Sequence, residues 1–144
     1  MDTTTKAGVL GAADGVTSVA GIIAAGAAQH AGHSRLGLIA IGGALSATVS
    51  MAGAELLSED SIDRGAIAAM AVGTLVGAGA PAVPLILVGG ALGWVAVAII
   101  ALAVTFAVGE VRHRATAAGR ARAYGVTVAI LAAGALVGFA AGSA

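Results

Sequence analysis

Long apolar runs separated by short polar clusters dominate this chain of 144 residues. A helix needs about 20 mainly apolar residues to cross a bilayer. Five segments meet that length: roughly 8–28, 36–57, 66–87, 90–109 and 124–142. The third and fourth lie in one uncharged run from Ala66 to Gly109, long enough for about two crossings at 1.5 Å per residue. The pair Gly89-Gly90 marks the expected break. Pro81 and Pro84 fall late in the third segment, where they are expected to kink or end the helix. The pattern predicts an all-α integral membrane bundle of five transmembrane helices, forming a single domain over 1–144.

The polar clusters between the runs set an expected orientation, because cytoplasmic loops collect Lys and Arg. With the N-terminus inside, the cytoplasmic side holds Lys6, Arg64, Arg112, Arg114, Arg120 and Arg122, and the outer side holds Arg35. The N-terminus is therefore expected in the cytoplasm and the C-terminus outside. The segment EVRHRATAAGRARA (110–123) then faces the inner leaflet, where anionic lipid attracts cations.

Composition sharpens this picture. Hydrophobic residues make up 59% and charged residues 10%, with a mean hydropathy of +1.03; soluble domains carry about 25% charged residues. The formal net charge of zero gives no sign of a nucleic-acid partner, and the absence of cysteine excludes disulfides and thiolate chemistry. No cleavable signal segment is visible: MDTTTK leads directly into the first span. Heavy Ala, Gly, Val and Arg usage resembles that of a GC-rich bacterial genome, so the expected location is a bacterial cell membrane.

Glycines recur at every fourth position in Gly11/Gly15, Gly73/Gly77, Gly89/Gly93 and Gly134/Gly138/Gly142. Such small-residue faces let helix backbones approach closely, within one subunit or across a dimer seam. The triple in the last span is the most regular.

Inside the first span stands Asp14, about six residues from its cytoplasmic end. A carboxylate at a helix centre costs roughly 2.5–3.5 kcal/mol on insertion scales, so its presence calls for a function. The second span runs the other way, and topology brings Met51 to a similar depth. Glu55 is one turn nearer the cytoplasm on the Met51 face, and Ser50 and Ser46 line an adjacent stripe. Carboxylate oxygens suit divalent cations, a thioether adds preference for softer transition metals, and intramembrane carboxylates also relay protons. One such set has too few ligands for a closed site, so a second subunit or retained waters must complete it. Packing through Thr17 or Ser18 is the plain alternative for Asp14, and packing or snorkelling the alternative for Met51 and Glu55.

Several motifs resemble the vacuolar iron transporter family of five-span divalent-metal transporters. GAADGVTSVAGIIAAGAA is similar to that family's first span, with its DG pair, and ALSATVSMAGAELLSED to its second span, with its serine-methionine pair. VGAGAPAVPLIL (76–87) resembles the proline-rich third span, and AVGEVRHR with the arginines after it the basic connection before the fifth. The resemblance implies a homodimer whose first spans line a metal path, with Asp14 as its acid and Met51 as its thioether. It further implies export of Fe²⁺ or Mn²⁺ from the cytosol in exchange for protons. Two departures stand out. The family's glutamate-rich cytoplasmic domain is replaced by LSEDSIDR (57–64), whose Glu59, Asp60 and Asp63 are the remaining candidates for cation entry. The motif also reads GAE where relatives often read GEY, which turns Glu55 by about 100° on the helix.

His30 and His33 form HAGH between the first two spans; an i,i+3 pair can bind metal, though no third ligand accompanies it. GAGAPA (77–82) lacks the third glycine and the preceding strand of a dinucleotide fingerprint. No P-loop, HExxH or nucleophile elbow is present, so enzymatic activity and a bound cofactor are not expected. The competing expectation is a small membrane scaffold or pore-forming protein whose small-residue faces are the functional part.

Overall fold

The structure is a computed structural model that describes residues 1–58, 63–115 and 119–144. Its elements are five helices: α1 (Thr3–Ala28), α2 (His33–Ser58), α3 (Arg64–Leu87), α4 (Gly90–Ala115) and α5 (Arg120–Ser143). Each is long and apolar enough to cross a membrane, and no strand occurs among the described residues. The chain is an all-α, multi-pass membrane protein.

Local chemistry explains where the helices begin and end. The Asp2 carboxylate caps α1 by accepting from the Thr5 amide and the Thr5 hydroxyl, both at 2.8 Å. Asp63 caps α3, accepting from the amides of Gly65 (2.9 Å) and Ala66 (3.1 Å). After α1 the chain reverses through His30, which has a positive φ of 56°. The Ala31 amide then donates to the Gly26 carbonyl and the His30 amide to that of Ala27, which satisfies carbonyls the ending helix would leave open. Between α3 and α4, Gly89 (φ +64°) and Gly90 (φ +55°) make the turn in a region costly for other residues.

The prolines do not end α3. The helix runs three residues past Pro84, and both prolines are buried in its last turns. Each removes a single helical donor, the ones that would serve the carbonyls of Gly77 and Ala80, and the rest of the ladder continues.

Helix α1 is the central post. It packs mainly against α3 and α5; α2 lies on α3, and α4 bridges α3 and α5. Helices α1, α3 and α5 run in one direction and α2 and α4 in the other. One end of the bundle therefore gathers Lys6, Arg64, Arg112, Arg114, Arg120 and Arg122 (the basic end below), and the opposite end carries Arg35. The main core joins Val19, Ile23, Leu36, Ala40, Ala44, Ala78, Ala82, Leu85 and Val97; a smaller cluster holds Ala7, Ala66 and Met70. Large apolar side chains such as Leu38, Val49, Val72, Ile99 and Leu136 point outward, as a hydrocarbon solvent allows.

Small residues bring α1 into backbone contact with both partners. A Cβ added at Gly15 would lie 2.5 Å from the Thr74 carbonyl oxygen, and one at Gly11 would lie 2.8 Å from the Thr74 hydroxyl. From the α3 side, Gly73 and Gly77 sit against the carbonyls of Gly8 and Ala12. The triple in α5 packs on α1 of the same chain: Gly134 against Thr17, Gly138 against the Gly21 carbonyl and Gly142 against the Ala25 carbonyl. Of the two uses open to that stripe, it serves packing within one subunit. Gly89/Gly93 is not a packing face: Gly89 belongs to the turn, and Gly93 lies near the Pro84 carbonyl.

Three buried threonines close their own hydrogen bonds inside the bundle. Thr74, Thr105 and Thr127 donate to the carbonyls four residues back, those of Met70, Ala101 and Ala123, at 2.7–2.9 Å. Among the described residues no buried side-chain nitrogen or oxygen lacks a partner.

Candidate cation site at Asp14

Helix geometry decides where Asp14 points. Gly11 and Gly15 face α3, and a step of one residue turns the side chain by about 100°. Asp14 is thereby swung off the α1–α3 contact to an exposed face of α1, together with Leu10. Among the described residues no hydrogen bond or ion pair reaches its carboxylate. Thr17 does not serve it: its hydroxyl donates to the Ala13 carbonyl at 2.8 Å. Ser18 lies one turn above Asp14 on the same stripe. There it lines a groove of 540 Å³ between α1 and α5, with Thr17, Gly21, Ile22 and Ile130 among its walls.

The contacts of α2 with α1 set the level of the other candidates. Gly43 lies against Ile22, where an added Cβ would be 2.5 Å from the isoleucine Cδ1. In an antiparallel pair, seven residues further along α2 corresponds to about seven residues back along α1. That register places Ser50 and Met51 opposite the 11–15 stretch. Ser50 follows Gly43 by a heptad, so its stripe borders α1, and it is exposed. Met51 is half-buried and turns inward onto Ala7, Ala66 and Met70. Glu55 is half-buried one turn nearer the basic end on the Met51 stripe.

Asp14 and Ser50 thus present exposed oxygens at about one level. Met51 contributes packing below them, with its thioether among apolar neighbours. Among the described residues no group of three or more His, Asp or Glu side chains is placed to hold an ion. A cation at Asp14 would draw its remaining ligands from Ser50, backbone carbonyls, water or a second copy of the chain.

The other sequence candidates separate. Asp63 is engaged as the cap of α3, while Glu59 and Asp60 lie outside the described residues. His30 and His33 have different surroundings: His30 lines a cleft between α1 and α2, whereas the His33 ring lies against Gly89, 2.6 Å from the position of an added Cβ there. The turn of α1 into α2 parts them, because His30 closes one helix and His33 opens the next.

Two polar arrangements were not singled out in the sequence. At the basic end, Glu110 joins α4 to α5, accepting from the Tyr124 hydroxyl at 2.5 Å and from Arg114 Nε at 2.7 Å. The Tyr124 ring also meets Phe106 at a centroid distance of 5.6 Å. At the opposite end, Gln29, His30 and Arg35 line the α1–α2 cleft. The signal for the second was three donor-bearing residues close together in sequence, two in the short connection and Arg35 in the first turn of α2.

No family model matches the chain, and neither a curated protein nor a solved structure is similar to it.

Proposed function

We propose that this chain is a divalent transition-metal transporter that works as a homodimer and exports Fe²⁺ or Mn²⁺ from the cytosol in exchange for protons. The observation that carries the reading is the exposed Asp14 carboxylate, unpartnered among the described residues of its own chain and midway along a membrane-spanning helix. Facing lipid, such a group costs roughly 2.5–3.5 kcal/mol. Covering this face of α1 with a second copy removes the group from lipid and sets two carboxylates across one seam. Two carboxylates balance one divalent cation, and oxygen donors from Ser50 suit the same ion.

Release follows from the same chemistry. A proton taken up by each Asp14 removes the charge that holds the metal, so one divalent ion leaves as two protons bind. With the N-terminus in the cytoplasm, metal loads from the basic end and protons arrive from the opposite one, in a bacterial cell membrane. The likeness of the DG and serine-methionine motifs to vacuolar iron transporters supports this direction. A scaffold without a substrate draws less support, because the small-residue faces at Gly11, Gly15, Gly134, Gly138 and Gly142 are occupied within the subunit.

The test is Fe²⁺ and Mn²⁺ flux into proteoliposomes under an imposed pH gradient, with Asp14→Asn beside the wild type. Gradient-driven flux that Asp14→Asn abolishes is the expected result. Absence of metal flux in a folded wild type, or flux with unaltered proton coupling in Asp14→Asn, overturns the proposal.

A further inference from the structure

We propose that the cleft between α1 and α2, at the end opposite the basic one, is a binding site for a phosphate group. Its cavity of 550 Å³ has an apolar lining that includes Ile22, Leu36 and Ile39, and its polar lining comes from Gln29, His30 and Arg35. Arginine carries five donors in a fixed fork and no acceptor, and the amide and imidazole add further N–H donors. That set matches the oxygens of a phosphate, which guanidinium groups bind in bidentate fashion.

The charged side chains at this end favour an anion. No acidic residue occurs between Asp14 and Glu55, or between Arg64 and Glu110, so neither connection at this end of the bundle contains one. Among the described residues Arg35 makes no ion pair. Its guanidinium therefore has no built-in counter-charge.

The backbone fixes where the imidazole stands. His30 occupies the left-handed conformation at the close of α1, a position where glycine or asparagine is usual. The imidazole that this conformation carries is one of the walls of the cleft. The turn that closes α1 thus sets the imidazole on the donor-lined cavity.

Two sources supply the same chemistry, free inorganic phosphate and a phospholipid headgroup, and the experiment separates them. The protein is purified in maltoside, a detergent without phosphate. Inorganic phosphate is titrated by ³¹P NMR, and retained phospholipid is counted by native mass spectrometry. Wild type is expected to hold one phosphate group per chain. Arg35→Gln should weaken that binding by roughly tenfold or more, as loss of a charged hydrogen-bond partner does. His30→Asn should weaken it several-fold while keeping a residue that tolerates the left-handed conformation, so it carries the test even if Arg35→Gln fails to fold. Lys6→Gln, at the basic end, should change nothing.

Saturable binding of free phosphate assigns a soluble anion. Retention of phospholipid that depends on Arg35 and His30, without phosphate binding, assigns the headgroup. Equal phosphate and lipid binding in wild type and both cleft variants overturns the proposal. The assay contains no transition metal and does not involve Asp14, so its outcome is separate from that of the flux experiment.

Discussion

Gly138 of α5 rests against the carbonyl of Gly21 in α1, so the last helix touches the first backbone to backbone. The same closeness recurs at Gly142 against Ala25, one turn further on. Gly138→Ala places a methyl group where that carbonyl stands. It should destabilise the protein by about 1–3 kcal/mol, the usual cost of overpacking. Gly125, also in α5, has open space around its would-be Cβ. Gly125→Ala should leave stability unchanged or raise it by up to about 1 kcal/mol through helix propensity. Thermal unfolding of the two variants in one detergent checks the contrast.

The α3–α4 turn gives a second prediction. Gly90 holds φ +55° with nothing near its would-be Cβ, so a substitution there reports backbone conformation alone. Gly90→Ala should cost about 1–2 kcal/mol, and Gly90→Asn less, because asparagine tolerates the left-handed region. Equal losses in denaturant unfolding would mean that the turn does not require this conformation.

The Tyr124–Glu110 bond ties the basic ends of α4 and α5, while the glycine stripe ties α5 to α1 nearer the opposite end. Tyr124→Phe keeps the ring beside Phe106 and removes only the hydroxyl. It should loosen the first turns of α5, measurable as faster amide hydrogen exchange there. Exchange around Gly134–Gly142 should stay at the wild-type rate.

Met51 separates metal selection from packing. Met51→Leu conserves volume, so its stability cost should stay below about 1.5 kcal/mol. If the thioether selects the softer ion, Fe²⁺ flux falls more than Mn²⁺ flux. Equal loss of the two assigns Met51 to the cluster of Ala7, Ala66 and Met70 alone.

Much of the fold was legible in the sequence because a bilayer imposes a strong pattern: every span must be apolar over a set length. The break at Gly89-Gly90 was readable because the turn needs φ values that glycine adopts freely. Helix ends were less readable. The helices α1 and α4 extend through Thr3–Ala7 and Glu110–Ala115, where side chains are polar but the backbone ladder and caps continue. Hydropathy does not register a cap such as Asp2 or Asp63. The third span, placed at 66–87 with both prolines inside it, matches α3 closely, since a proline near the end of a helix removes few bonds.

Partners were the least legible feature. The spacing of Gly134, Gly138 and Gly142 announces a close approach without naming its object, and only the packing shows α1 to be that object. His30 and His33 look like neighbours on one face until the helix ends between them. The exposure of Asp14 likewise depends on where α3 and α5 dock, which residue spacing does not contain.

The order in which α1 finds its partners bears on how the protein is made. Its nearest neighbours, α3 and α5, both follow it in the chain. During synthesis the Asp14 segment is threaded into the membrane well before the stripe that braces it has left the ribosome. Helix α1 therefore enters the bilayer before α5 arrives to brace it. Quality control that acts on incomplete chains would meet α1 in that unbraced state.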